Sequence, residues 1–414
     1  MESVTVNGYN LDSCRIMARN NYPEIKRYEL IENTKQFNLS NAAKGWIPQV
    51  TLSAQASWQS VTPTLPESFN NMMAAQGAKL NGLKKDQYRI SVDINQQIWD
   101  GGVSRANRSI AEADANEQSA TSDVELYSLD RRVDDLYFGI LLLEERIEQT
   151  SLKITLLQSN LNRINSLVDN GVAMQVDADA VEAELLLAYQ TLKQLEISKN
   201  SYRAMLEFFI GCKLHNGKLE KPIDIQVPDN IVKRPELHLF DAKSNALDLQ
   251  KRIISVSTKP KFYAFIQGGY GYPSANYFES MITGSWKFNV VLGVKMLWNF
   301  GAYYTKNNNL KKIDITKQQI ELQRDIFIFN TNLQIAMNNG EINRLRESVA
   351  LDEKIVTLKR NIRISAEAKI QNGIIDTFQL LQKITDEADA MLNRSLHKIQ
   401  LLQSIYEIKH TINQ

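Results

Sequence analysis

The sequence predicts a mainly α-helical chain with a small β component of membrane-barrel type, built from one unit given twice: a strand hairpin followed by a long helical hairpin. Three observations carry this prediction. Landmarks recur in the same order along 414 residues, all nine prolines leave 67–221 and 274–414 free, and the segments ahead of the long tracts alternate apolar and polar residues.

The repeat is read from five landmarks. Pro23-Glu24 answers Pro235-Glu236, Pro48 answers Pro260, Trp99-Asp100-Gly101-Gly102 answers Trp298-Asn299-Phe300-Gly301, Gly139 answers Gly340, and Asn170-Gly171 answers Asn372-Gly373. The offset drops from 212 to 199 between the proline and the tryptophan and then holds to within three residues, so the first copy carries about thirteen extra residues there. The predicted organisation is a first repeat over 1–212, a linker over 213–233 and a second repeat over 234–414.

Within the first repeat an opening helix leads to strands at about 48–60 and 88–99. Val50, Leu52, Ala54, Ala56 and Trp58 alternate with polar neighbours, as do Tyr88, Ile90, Val92, Ile94 and Ile98. The connection Val61 to Gln87 is long and polar, with Pro63, Pro66, Gly77 and Gly82, as suits an external loop. A helical hairpin then occupies 104–211. Its outgoing arm spaces Leu129, Val133, Leu136, Ile140, Leu143, Ile147, Ile154, Leu157, Leu161, Ile164 and Val168 in a 3-4 rhythm broken only at Thr150, the pattern of a coiled-coil seam. After Asn170-Gly171 the returning arm carries Val181, Leu185, Ala188, Leu192, Leu195, Tyr202, Leu206 and Phe209, so the two arms pair antiparallel across a tight turn.

The second repeat places strands at about 260–272 and 286–298, joined by the shorter Pro273 to Ser285. Phe262, Ala264, Ile266 and Tyr270 alternate in one, and Trp286, Phe288, Val290, Leu292, Val294, Met296 and Trp298 in the other. Its helical hairpin spans 302–412, with Phe378, Leu381, Ala388, Leu392, Ile399, Leu402 and Tyr406 on the returning arm. Each outgoing helix is on the order of 100 Å long at the rise of an α-helix. Gly139 and Gly340 are read as tolerated helical glycines, with a bend or a close helix crossing as the alternative.

Composition excludes several classes. Net charge is +1 from 48 basic and 47 acidic residues, so no global field attracts nucleic acid. The longest uncharged apolar run in the helical tracts, Tyr137 to Leu143, falls well short of the ~18 residues of a membrane-spanning helix. Met1 to Asn7 lack the basic and apolar regions of a signal peptide, which points either to the cytosol or to a mature chain whose leader was replaced by an initiator Met. Cys14 and Cys212 are read as two unpaired structural thiols, with a disulfide as the alternative. His215, His238, His397 and His410 are too scattered for a metal site, and Gly268-Gly269-Tyr270-Gly271 lies inside a strand instead of at a helix N-terminus, so it is no phosphate loop. No catalytic residues, metal or cofactor are expected, and any energy source must be a partner's.

The strand lengths and their aromatic ends suit an outer-membrane barrel, but four strands cannot close one, and open edges are not tolerated in lipid. Oligomerisation supplies the closure.

The order helix, strand hairpin, very long helix, tight turn and long helix, given twice, resembles the TolC family of trimeric outer-membrane efflux channels. The resemblance runs from Leu11 to about Ile412 and is carried by Gly45-Trp46-Ile47-Pro48, the two Trp exits from strand to helix and the paired glycine turns. It implies a homotrimer with a twelve-stranded barrel in outer-membrane lipid on a coiled-coil helical tunnel that crosses the periplasm. It further implies a leader already removed, and a periplasmic adaptor that links the channel to an inner-membrane pump for efflux or type I secretion of small molecules or a polypeptide. Adaptor docking is then expected at the hairpin tips, at Asn170, Gly171, Val172, Asn372, Gly373 and Ile374. Where the resemblance calls for an acidic ring this chain has Gln379 and Gln382, and Ile375 stands at the basic position. The candidate gate residues are Asp177, Asp179 and Asp376, with helix capping as the alternative role. On the strands Arg89, Asp93, Lys287 and Lys295 fall on the polar parity and are expected in the barrel lumen. A soluble coiled-coil scaffold is the competing reading.

Overall fold

The computed structural model describes residues 9–77, 82–214, 219–223, 231–371 and 374–413. Asn372, Gly373 and His215, named above, lie outside these residues.

Among the described residues the first repeat contains α1 (Leu11–Asn21), a 3-10 turn (Pro23–Lys26), α2 (Arg27–Lys44), β1 (Gln49–Trp58), α3 (Glu67–Ala75), β2 (Asp86–Trp99), α4 (Val103–Asp169) and α5 (Gln175–Ile210). The second contains α6 (Pro235–Ser257), β3 (Lys261–Tyr272), α7 (Tyr277–Thr283), β4 (Lys287–Leu297), α8 (Ala302–Gln371) and α9 (Thr377–Ile412). No described helix is long and apolar enough to cross a membrane. The expected polar loops each hold a short helix, α3 and α7. Their bases pack on one another through Leu65, Leu83, Tyr272 and Met281, and the Tyr272 hydroxyl accepts the Lys84 backbone N–H at 2.9 Å.

The chain divides into two compact units, and each draws on both repeats. The strand unit comprises Ile31–Glu117 and Ala242–Ile320; the helical unit comprises Met1–Leu30, Gln118–Asp241 and Glu321–Gln414.

In the strand unit one antiparallel sheet runs in the order β1-β2-β3-β4, so β1 and β4 are its edges. The Trp99-Asp100-Gly101-Gly102 exit follows from local chemistry. The Asp100 carboxylate accepts the backbone N–H of Gly102 at 2.7 Å and of Ser104 at 2.5 Å, which caps the start of α4. Gly101 has φ +72, and a Cβ there would come within 2.9 Å of Lys259 Cβ, so only glycine fits. In the second copy the Trp298 indole N–H donates to the Thr258 carbonyl at 3.1 Å, joining the end of β4 to the end of α6.

The helical unit has a long core. Its centre is α4, whose Leu129, Val133, Tyr137, Phe138, Ile140 and Leu141 pack with Leu11, Cys14 and Ala18 of α1, Leu206 and Ile210 of α5, and Ile399 and Tyr406 of α9. Towards the hairpin tips Ile154, Leu157, Leu161 and Ile164 meet Val181, Leu185 and Ala188 of α5 and Leu380 and Ile384 of α9. Two ion pairs pin α1 to α4: Arg15 grips Asp134 at 2.6 and 2.7 Å, and Arg19 grips Asp130. Burial opposes the Arg15 charge, but hydrogen bonds to Asp134 hold its guanidinium above the usual range. The cysteines are free, as the sequence suggests; both lie in the same cluster, and burial pushes the Cys14 thiol up to about 12.

Three expectations need correction. Phe378 is not on the buried seam of α9: it is 72% exposed in the first turn, where Leu380 and Ile384 take the core positions. Gly139 marks a close crossing, because a Cβ there would lie 2.6 Å from the Tyr202 ring of α5, whereas Gly340 has open space around it. In β2 the apolar row is interrupted by Gln96, which stands opposite Ala264 on the apolar parity, and a bulge between Gln97 and Trp99 then shifts the register at the strand end. There its side-chain amide donates to the Trp46 carbonyl, so no polar group is stranded.

Candidate functional site

The pairing register sorts the sheet into two chemically opposite faces. Directly opposed residues share a face, and the pairs Val50 with Ile94, Leu52 with Val92, Ile94 with Ile266, Ile266 with Leu292 and Tyr270 with Phe288 define one that is almost wholly apolar. It is bare: Leu52 is 71% exposed, Phe288 69% and Leu292 77%. Aromatic rings crowd its end near the loops, with Tyr88 stacked on Trp286 at 5.8 Å between ring centres and Tyr270 against Trp286 at 5.6 Å. An apolar surface of this extent is costly in water and favourable in hydrocarbon.

The other face pairs Thr51 with Asp93, Ser53 with Ser91, Gln55 with Arg89, Asp93 with Gln267, Gly271 with Lys287 and Tyr263 with Lys295. All four charged strand residues singled out in the sequence lie here. Asp93 accepts from the Gln267 amide at 2.5 Å and from the Ser91 hydroxyl at 3.4 Å, and Ser91 meets Ser53 at 2.8 Å. The Lys295 ammonium donates to the Asn95 side-chain oxygen at 2.7 Å, with the Tyr263 and Phe265 rings 5.6 and 5.8 Å away. Lys287 pairs with Glu279 of α7. The strand glycines explain themselves on this face. The Arg89 guanidinium lies where a Cβ on Gly269 would come within 3.3 Å of its Nε, and a Cβ on Gly271 would strike the Tyr88 carbonyl at 2.3 Å. The absence of a side chain at Gly269 leaves room for the arginine against the sheet.

At the first hairpin tip the chain leaves α4 through a glycine turn. Val172 N–H bonds the Leu167 carbonyl at 2.8 Å and Gly171 N–H the Val168 carbonyl at 2.9 Å, with Gly171 at φ +71, which is the Schellman end of a helix. Ile374 N–H bonds the Lys369 carbonyl at 3.0 Å with the same spacing. Asn170 ties its amide to the Ser166 carbonyl at 2.6 Å. Val172, Met174, Val176, Ile374 and Phe378 leave the tips apolar and exposed.

The candidate gate carboxylates sit in the first turns beyond these tips. Asp376 caps α9 by accepting the Gln379 N–H at 2.7 Å; Asp177 accepts the Met174 N–H at 3.1 Å; Asp179 accepts from the Gln175 amide at 2.9 Å. Gln379 and Gln382 line a groove between α8 and α9 with Ile375, Lys369 and Lys383. Among the described residues no group of His, Cys, Asp and Glu is arranged to hold a metal ion. His397 instead meets Asp352 at 2.6 Å, and His410 stacks on Tyr127 at 4.2 Å.

Sequence reasoning missed Glu387. It is 3% exposed in α9, with Arg360 and Arg363 of α8 upon it, and it joins the two arms of the second hairpin. The available signal was an acid at a core position of the helical rhythm, three residues after Ile384.

Residues 16–211 match the family model described as outer membrane efflux protein. No curated protein matches the sequence. Among solved structures the fold is similar to that of the outer membrane protein VceC of Vibrio cholerae, at 12% identity and a TM-score of 0.71 over 97% of this chain and 95% of that one. It is also similar to the CmeC outer membrane channel of Campylobacter jejuni, at 12% identity and a TM-score of 0.69 over 97% and 85% of the two chains. The open state of the MtrE outer membrane channel of Neisseria gonorrhoeae gives 12% identity and a TM-score of 0.67 over 97% and 88%. At these identities the likeness is one of fold.

Proposed function

We propose, for a chain that has the fold of the TolC-like outer-membrane efflux channels and carries the outer membrane efflux protein pattern over residues 16–211, that three copies form a passive exit duct. The observation that carries this reading is the open four-stranded sheet with one bare apolar face and two edges. A single copy leaves the backbone groups of β1 and β4 unpaired, and in hydrocarbon each such group costs several kcal/mol. Pairing β1 of one copy with β4 of the next, three times round, removes every edge and yields a twelve-stranded barrel with the apolar face in lipid and the polar face round water.

In this reading the helical hairpins carry the duct from the outer membrane into the periplasm. Their exposed apolar tips at Val172, Met174, Ile374 and Phe378 are where an adaptor docks and connects an inner-membrane pump that supplies the energy. Opening is a parting of the hairpins about Gly171 and Gly373, while Asp177, Asp179 and Asp376 keep the first turns of the returning helices intact. The cargo is a small molecule or a polypeptide. The soluble-scaffold reading offers no role for the bare apolar face.

Conductance across planar bilayers tests the proposal. Purified protein, with or without an adaptor, is expected to give discrete pores; trimers that never conduct would overturn it.

A further inference from the structure

We propose that the barrel wall built from this sheet is an anion filter, an inference that rests on the channel reading above. The polar face of the sheet is unevenly charged. Its register places Arg89, Lys261, Lys287 and Lys295 there against a single carboxylate, Asp93. Lys287 is neutralised by Glu279. Among the described residues Arg89, Lys261 and Lys295 form no ion pair, and Asp93 takes its hydrogen bonds from neutral Gln267 and Ser91. The net is two positive charges per copy, and three copies would set six round one lumen.

These charges are held in place. Lys295 is anchored to Asn95 beside two aromatic rings, and the Arg89 guanidinium lies against Gly269. A ring of fixed cations lowers the barrier for anions and raises it for cations, and the effect reaches across a wide pore only when salt is dilute, since the Debye length grows from about 10 Å at 0.1 M to about 30 Å at 0.01 M.

The test is the reversal potential of single channels across a KCl gradient with the dilute side at ~0.01 M, where the Debye length is about 30 Å and screening is weak. The wild-type channel is expected to pass chloride in preference to potassium by about threefold, a preference that fades above ~0.5 M salt. R89Q with K295Q should bring the ratio close to one, K261Q alone should lower it less, and D93N should raise it. A preference for potassium, or a ratio that the strand substitutions leave unmoved, would overturn the filter while leaving the channel reading intact. Absence of any conductance would overturn the channel reading and the filter with it. Because only strand residues are changed, carboxylates at the hairpin tips cannot produce the expected shifts.

Discussion

Helices α4 and α8 occupy equivalent places in the two repeats and have nearly equal lengths, 67 and 70 residues, yet they are finished to different degrees. In the helical unit α4 is covered on several sides by α1, α5 and α9. By contrast α8 buries one narrow row, Thr331, Ile335, Ile342, Leu345, Asp352, Val356 and Ala366, while a second apolar row lies bare. That second row runs Leu322, Ile326, Phe329, Leu333 and Met337 and resumes at Leu351, Ile355, Leu358 and Ile362, in the 3-4 spacing of a coiled-coil seam. The extra cover on α4 is supplied in part by α1, pinned by its two ion pairs. Both α6 and α9 contact α8 and still leave this second seam bare, and a bare seam needs a partner just as an open sheet edge does. On the proposed trimer, the difference between the helices marks which side of the chain is complete alone and which the other copies would cover.

The strongest way to break this comparison is to charge the bare row. F329D with M337D is expected to reduce trimers to single copies by native mass in detergent, since two contacts at about 2 kcal/mol each weaken association roughly a thousandfold. Persistent trimers would show that the row faces something else. A matched pair of truncations sharpens the contrast. L157A, at a position with 0% exposure, should lower stability by about 2–5 kcal/mol in denaturant titrations whatever the assembly state. L333A should leave the stability of the single copy almost unchanged and act only on assembly. The smallest expected effect separates the two glycines. G139A drives a methyl into the Tyr202 ring and should cost about 1–3 kcal/mol, while G340A meets open space and should gain up to ~1 kcal/mol through helix propensity. Equal signs for the two in thermal unfolding would contradict the packing described here.

Much of this was legible in the sequence because it is written in period and punctuation. The alternation of Leu52, Val92, Ile266 and Leu292 gives the sheet face directly, the Asp100-Gly101-Gly102 run gives a capped helix start, and Asn170-Gly171 gives a Schellman turn. What stayed hidden depends on neighbours distant in the chain. The cover of α1 over α4 is made by Arg15 and Arg19 reaching Asp134 and Asp130 more than 100 residues away. The misplacement of Phe378 has the same origin, because a 3-4 rhythm names two adjacent registers and only the packed partner selects one. Helices α3 and α7 are short, and Glu67–Ala75 reads as a polar loop until the cluster at its base is seen. For the candidate site, the strand parity of Arg89, Asp93, Lys287 and Lys295 was readable, but the pairing of Lys287 with Glu279 was not.

The central claim is that one face of the sheet is solvated by acyl chains and the other by water. Spin labels at Leu52, Val92, Ile266 and Leu292, compared with labels at Ser53, Ser91, Gln267 and Asn289 in reconstituted vesicles, test it most directly. The first set should be relaxed by oxygen and shielded from a water-soluble nickel complex, and the second set the reverse. Water contact at all eight positions would contradict the account.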